Sequence, residues 1–287
     1  MDAHVQTFRI ENHQLAYLAF NPQDTRQPII LLHGLTSSIG FWHKGAPYTQ
    51  YGPCYALSLP GHYPAVFPQD FQSEHLSVKE LGRLVAEGIQ HLVPDRPVTV
   101  IGHSTGGLAG LAAAIHAPTK INRLITIAGF VSGQRTGSFG FLERLAQTNS
   151  LGRLLFPLGF AYRFHPALLR LAMGSFVADR QAITSRPTFN AELNATYTYM
   201  RHLHIGSMWA YFRMLPQMDL AYRLPKIAAA TLAIAGDKDP IVPPEQSQII
   251  ASRVPNSKLA LIPGAGHLPM VERPQRYEQH IHEWLGR

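Results

Sequence analysis

The chain has 287 residues and a formal net charge of +7, and its single cysteine, Cys54, excludes an internal disulfide framework and any metal site built from several thiolates. An apolar fraction of 46% is ordinary, but charged residues reach only 15% against a usual ~25%, which rules out collagen, coiled coil and disorder and implies a sizeable core. The start lacks the basic-then-apolar layout of a secretory leader and no run of ~18 apolar residues offers a bilayer span, so a cytoplasmic protein is expected.

Residues 7–20 read as two short strands joined in a hairpin at Glu11-Asn12-His13. Short apolar, β-branched runs then follow at 28–33, 54–58, 98–101, 124–128, 231–235 and 258–262, the pattern of strands covered on both faces. Helices are predicted between them at 77–93, with Leu81, Leu84, Val85 and Ile89 at helical spacing, and at 105–116, 244–254 and 274–285. Strand and helix in alternation predict an α/β fold with a mostly parallel sheet of eight strands and helices on both faces.

The alternation stops near Gly129 and resumes at about Ala228. Helix-like patches at 141–147, 166–176 and 191–213 lie in between, broken by Pro157, Gly159, Pro166 and Pro187, so the chain divides into a core of residues 1–130 and 228–287 and an inserted helical cap of residues 131–227. Between Gly133 and Pro225 stand ten arginines, no lysine and four acids, almost the whole positive excess. They are spaced singly and not in the runs that track a phosphate backbone, so no nucleic-acid partner is expected. A basic face suits anionic substrates or peripheral contact with an anionic membrane. The apolar stretches 151–162 and 208–212 either line a pocket for a lipophilic group or form the cap's own core.

Directly after the strand at 98–101 comes Gly102-His103-Ser104-Thr105-Gly106-Gly107, followed by a helix of small residues. A serine on so sharp a turn needs neighbours without side chains two before and two after it, which Gly102 and Gly106 supply. The turn lifts the hydroxyl above the strand ends, where the helix N-terminus directs N–H groups at developing negative charge. Serine also needs a histidine base and a carboxylate to orient that base. Asp237 and Asp239 follow the strand at 231–235, and His267 lies in the glycine-rich loop after the strand at 258–262.

The order serine, aspartate, histidine, each at a strand end, resembles the α/β-hydrolase superfamily, and the resemblance covers roughly residues 8–130 and 228–285. It implies the eight-stranded α/β-hydrolase sheet and a Ser104, Asp239, His267 triad, since relatives with the G-D-x-D-x-x-V-P pattern use the second aspartate and leave the first to shape the turn. Gly129-Phe130-Val131-Ser132-Gly133 offers no carboxylate for the alternative acid position of another branch. The segment His33-Gly34-Leu35-Thr36 resembles the family's H-G-x motif, which makes the N–H groups of Leu35 and Thr105 the expected oxyanion donors, with His33 and Gly34 as motif support. At Leu57-Ser58-Leu59-Pro60-Gly61-His62 relatives usually carry an acid where Ser58 stands.

The implied activity is a cofactor-independent serine hydrolase, esterase- or lipase-like, that cleaves an ester, thioester or related acyl bond of an apolar small molecule. A nucleophilic serine argues against the dehalogenase and epoxide-hydrolase branches, which use aspartate at the elbow. Lyase, carbon–carbon hydrolase and acyl-transfer chemistry, or a ligand-binding receptor with negligible turnover, remain as rivals on the same residues. His103 is expected to pack under the elbow. His202 and His204, like His280 and His282, are two apart and would leave a helix on different faces, so no metal is expected. Cys54 is expected in the core.

Overall fold

The computed structural model describes residues 4–286 apart from 46, 134 and 149, with the side chains of 43–45, 162 and 182 also left out, so residues 1–3 of the leader reading and the Tyr162 side chain lie outside the described residues. Among these, eight strands form one sheet: β1 (Gln6–Ile10), β2 (His13–Phe20), β3 (Ile29–Leu32), β4 (Cys54–Leu57), β5 (Val98–His103), β6 (Ile121–Ile127), β7 (Ala230–Gly236) and β8 (Ser257–Ile262). Their spatial order is β1-β2-β4-β3-β5-β6-β7-β8. The β1–β2 hairpin is antiparallel and β2 meets β4 antiparallel, while every other neighbouring pair is parallel.

The central strands are apolar at successive positions because each face has its own cover. Ile30 and Leu32 of β3 pack with α1 (Val78–Leu92) and α2 (Thr105–His116), and Ile29 and Leu31 join a separate core on the opposite face. In α1 the buried residues Leu81, Leu84, Val85 and Ile89 form one stripe, and the Ser77 hydroxyl caps the helix by accepting the Glu80 N–H at 3.1 Å. Cys54 is fully buried, and burial pushes its thiol up to about 12.

Between β6 and β7 the chain forms α3 (Gly137–Ala146), α4 (Ser150–Leu155), a 3-10 segment (Phe156–Phe164), α5 (Pro166–Met173), α6 (Arg180–Thr184), α7 (Phe189–Met200) and α8 (Ile205–Met214). The single helical patch expected at 191–213 is two helices. The chain turns at Arg201–His204, Leu203 is buried, and the His204 ring accepts the Ser207 N–H to cap α8, so His202 and His204 share no helix. Three further α-helices follow among the described residues: α9 (Glu245–Arg253), α10 (Pro269–Glu272) and α11 (Pro274–Leu285), the last packing Tyr277 and Ile281 into the face that holds Ile29.

Parallel strands bring their C-terminal ends to one edge of the sheet, and the loops after β3, β5, β7 and β8 meet there. The insertion is tied to this edge. Tyr211 donates to the Pro60 carbonyl at 2.9 Å and Arg186 reaches the Val271 carbonyl at 2.9 Å, while Leu220 N–H donates to the Val131 carbonyl at 2.9 Å and draws the two ends of the insertion together.

Candidate active site

Ser104 is the single residue between β5 and α2, and its backbone takes φ 53 and ψ −117, a conformation few side-chain-bearing residues adopt. Holding it there costs about 1–3 kcal/mol, and it persists because the surroundings leave no alternative. The Ser104 N–H donates to the Ile127 carbonyl of β6 at 2.8 Å, and the Ser104 carbonyl accepts from Gly107 N–H at 2.8 Å. A Cβ on Gly102 would lie 2.3 Å from the Gly106 carbonyl oxygen, and one on Gly106 would lie 2.4 Å from the Leu32 carbonyl oxygen. Both glycines are steric requirements of the turn.

Of the two acids after β7, Asp239 meets the histidine. His267 Nδ1 donates to Asp239 Oδ2 at 2.7 Å, and the other carboxylate oxygen accepts the N–H groups of Ile241 and Val242 at 2.8 and 2.9 Å. The Asp239 side chain is fully buried, so the carboxylate is desolvated and held by charge-assisted hydrogen bonds. With the proton on Nδ1, His267 Nε2 carries the free lone pair that a base requires. Asp237 instead accepts the Gly264 N–H at 2.6 Å and braces the turn that delivers His267.

Ser104 and His267 are both buried, and no direct hydrogen bond joins them among the described residues. Catalytic serine–histidine contacts are often long without substrate and tighten on binding. The loop after β3 lies against the elbow, since a Cβ on Gly34 would sit 3.3 Å from Ser104 Cβ and 2.9 Å from His103 Nδ1. His33 holds that loop, donating from Nδ1 to the Gly34 carbonyl at 2.9 Å and accepting the Leu59 N–H on Nε2 at 3.1 Å. Burial lowers its pKa to about 4 against the opposing pull of the Gly34 carbonyl, so the ring stays neutral and keeps this tautomer. Leu35 follows Gly34 in the loop and Thr105 is the first residue of α2, where an N–H has no intrahelical acceptor. Ser58 donates to the His62 carbonyl at 2.5 Å and ties its loop locally.

Three contacts escape sequence reading. The His103 ring, stacked on Phe41 at 5.1 Å, donates from Nε2 to the His267 carbonyl at 2.9 Å and so spans the elbow and the histidine loop. Burial, with His267 beside it, lowers its pKa to about 3. The buried Glu272 accepts N–H groups from Gly266 at 2.9 Å, Leu268 at 3.2 Å and Ala178 at 2.8 Å, clamping both sides of His267 to the insertion. The signal for it was an acid closing the otherwise apolar run Leu268-Pro269-Met270-Val271. A second buried pair, Arg135 Nε to Glu143 Oε1 at 2.6 Å, anchors the start of the insertion, with Arg135 over the Phe130 ring at 4.3 Å.

The stretches expected to line a pocket divide. Phe156 and Trp209 line a cleft of about 1420 Å³ with Phe67 and Arg213, Phe160, Tyr211 and Phe212 are buried in the core, and Leu151, Leu154 and Leu158 face solvent. A smaller pocket of about 320 Å³ is lined by Phe41, Met173, Phe189, Leu193, Leu268 and Met270, among others. Ser104, Asp239 and His267 line neither, but Phe41 stacks beside the elbow and Leu268 follows His267.

The sequence profile of the Alpha/beta hydrolase family matches residues 29–280. Among curated proteins the chain is 27% identical over 226 residues to one named carbamate hydrolase RutD from Pseudomonas savastanoi pv. phaseolicola, covering 79% of this chain and 80% of that protein. It is 25% identical to a pimeloyl-[acyl-carrier protein] methyl ester esterase from Photobacterium profundum, covering 93% of this chain and 98% of the relative. Among solved structures it shares its fold with a thermophilic esterase from Thermogutta terrifontis at a TM-score of 0.73 and 21% identity, covering 98% of each chain. The enol-lactonase from Burkholderia xenovorans LB400 aligns at a TM-score of 0.77 and 16% identity, over 98% of this chain and 100% of that one. With a family match that spans most of its length, and an eight-stranded sheet ordered as described, the chain belongs to the alpha/beta hydrolase family and is a hydrolase.

Proposed function

We propose that this hydrolase cleaves an ester, thioester or related acyl bond of a lipophilic small molecule through Ser104, His267 and Asp239, with residues 1–130 and 228–287 carrying the chemistry and residues 131–227 acting as its cap. His267 Nε2 takes the Ser104 hydroxyl proton as the oxygen attacks the acyl carbon. The N–H groups of Leu35 and Thr105 hold the resulting oxyanion. Collapse of the tetrahedral intermediate breaks the bond to the leaving group, which receives the proton from His267, and leaves Ser104 acylated. Water, deprotonated by the same nitrogen, then attacks the acyl carbon, and Ser104 regains its proton as the acid departs. Asp239 stabilises the imidazolium formed in each half.

The observation that carries this reading is the 2.7 Å bond from His267 to a fully buried carboxylate that also accepts two backbone N–H groups. So costly an arrangement fixes one tautomer of one ring. The apolar pocket beside Phe41 and Leu268 is read as the site of the acyl or alcohol chain, and the basic insertion as the part of a cytoplasmic enzyme that meets an anionic membrane. Nitrophenyl esters of rising acyl length test the reaction. Steady turnover with a chain-length optimum beyond acetyl, lost in Ser104→Ala, is expected, whereas equal turnover by both proteins would overturn the assignment.

A further inference from the structure

An amphipathic helix of a water-soluble protein turns its apolar stripe to the core. The insertion turns a second stripe outward. Leu151, Leu154, Leu155 and Leu158 succeed one another at helical spacing and are all exposed, Leu154 at 72% and Leu158 at 70%, while Gly152, Phe156 and Phe160 turn inward. Phe164, Leu168 and Leu171 repeat the pattern, with Phe164 70% exposed and Leu169 taking the inward place. These segments pack on one another, and Phe141 on the neighbouring α3 is also exposed, so the side chains belong to one region of the surface. Single exposed leucines are ordinary, but a contiguous set marks an interaction surface.

Along this segment of the chain the charge has one sign. Arg144, Arg153, Arg163 and Arg170 are interleaved with the apolar side chains, the Arg163 guanidinium lies over the Phe164 ring at 4.7 Å, and no acid occurs from residue 144 to 178. Glu143, at the edge of the segment, is sealed inside with Arg135. A second copy of the chain seated on this face would set arginines against arginines. The tips of Leu151, Leu154, Leu158 and Phe164, each exposed over two thirds of its surface and interleaved along the chain with arginines, match a boundary where acyl chains lie beneath phosphates.

We propose that the face formed by α4, the 3-10 segment and α5 docks peripherally on a bilayer bearing anionic phospholipid headgroups. Leu151, Leu154, Leu158 and Phe164 enter between the headgroups, and Arg144, Arg153 and Arg163 meet the phosphates. The purpose of the contact rests on the acyl-substrate reading above, but the contact itself does not involve Ser104.

The experiment is co-sedimentation of the full chain with vesicles of phosphatidylcholine alone and of phosphatidylcholine mixed with phosphatidylglycerol. Wild type is expected to pellet with the mixed vesicles, to stay in solution with the neutral ones and to be released by salt. The double variant Leu154→Ser/Leu158→Ser should bind the mixed vesicles about tenfold more weakly. Arg144→Gln/Arg163→Gln should lose about tenfold and flatten the salt dependence. Both should keep the wild-type circular dichroism spectrum and turnover of a soluble short-chain ester. Absent binding, binding indifferent to phosphatidylglycerol, or unchanged binding by the leucine variant would overturn the proposal. So would a dimer that the leucine variant dissociates while vesicles are ignored. Vesicle binding by a chain whose Ser104 proves inert would sink the acyl-hydrolase reading and leave this one standing.

Discussion

The turn at Ser104 and the helical insertion above it follow opposite packing rules. At the turn there is no room for one further carbon, since a Cβ on Gly102 or Gly106 would run into backbone at 2.3–2.4 Å. In the insertion, a set of large apolar side chains that includes Phe141, Leu151, Leu154, Leu158, Phe164 and Leu171 stands in water, spaced by arginines. On the proposed reading, chemistry that depends on atoms placed within a fraction of an ångström sits on the close-packed ends of parallel strands, and contact with a variable environment is left to an element that the sheet does not constrain.

The largest effects should come from the strand ends. Ser104→Ala should lower ester turnover by at least roughly 10⁴-fold with little change in stability. Asp239→Asn should cost a comparable factor of about 10⁴ in kcat, because an amide neither holds the Nδ1–H tautomer nor stabilises the imidazolium. Asp237→Asn keeps the His267 partner and should lower the urea midpoint more than it lowers kcat. Similar kinetic losses in the two variants would show that the acids do not divide these roles.

Stability responds next. Glu143→Gln leaves the Arg135 guanidinium buried beside a neutral group and should cost about 3–5 kcal/mol in urea unfolding, which would place a strong anchor at the root of the insertion. Acid acts on the core. The unfolded chain takes up protons on His33 and His103 below their ordinary value of 6.5, whereas burial keeps them neutral in the fold down to about 4 and about 3. Their share of stability is therefore intact above pH 6.5 and falls by about 1.4 kcal/mol per pH unit for each ring as pH drops from 6.5 towards the folded values. Urea midpoints at pH 7 and pH 5 should show the loss, and His33→Gln, though weaker at pH 7, should lose less on acidification. A pH-independent midpoint would contradict the neutral buried rings. At the small end, Leu154→Ser should change stability by no more than about 0.5 kcal/mol, because that side chain has almost nothing to lose.

The elbow was legible in the sequence because its cause is local. Two glycines flanking a serine between an apolar run and a helix of small residues leave few other folds, and α2 spans Thr105–His116 as its letters predict. The eight strands were legible for the same reason, as β-branched runs bounded by turns. What escaped depends on distant partners. No spacing rule breaks 191–213 at Arg201–His204, where burial of Leu203 and the His204 cap on Ser207 set the turn. Glu272 gathers N–H groups from Gly266, Leu268 and Ala178, segments that meet only in three dimensions. The apolar stretch 151–162 was visible as apolar, but not which of its leucines would turn outward, since a stripe on either side of a helix has the same period.

The central claim, that Ser104 is the nucleophile and the His267–Asp239 pair its base, is tested most directly by covalent labelling with a fluorophosphonate, followed by intact mass and peptide mapping. One adduct per chain is predicted, on the peptide holding Ser104, absent in Ser104→Ala and formed far more slowly in Asp239→Asn. An adduct on another residue, or undiminished labelling of Ser104→Ala, would contradict it.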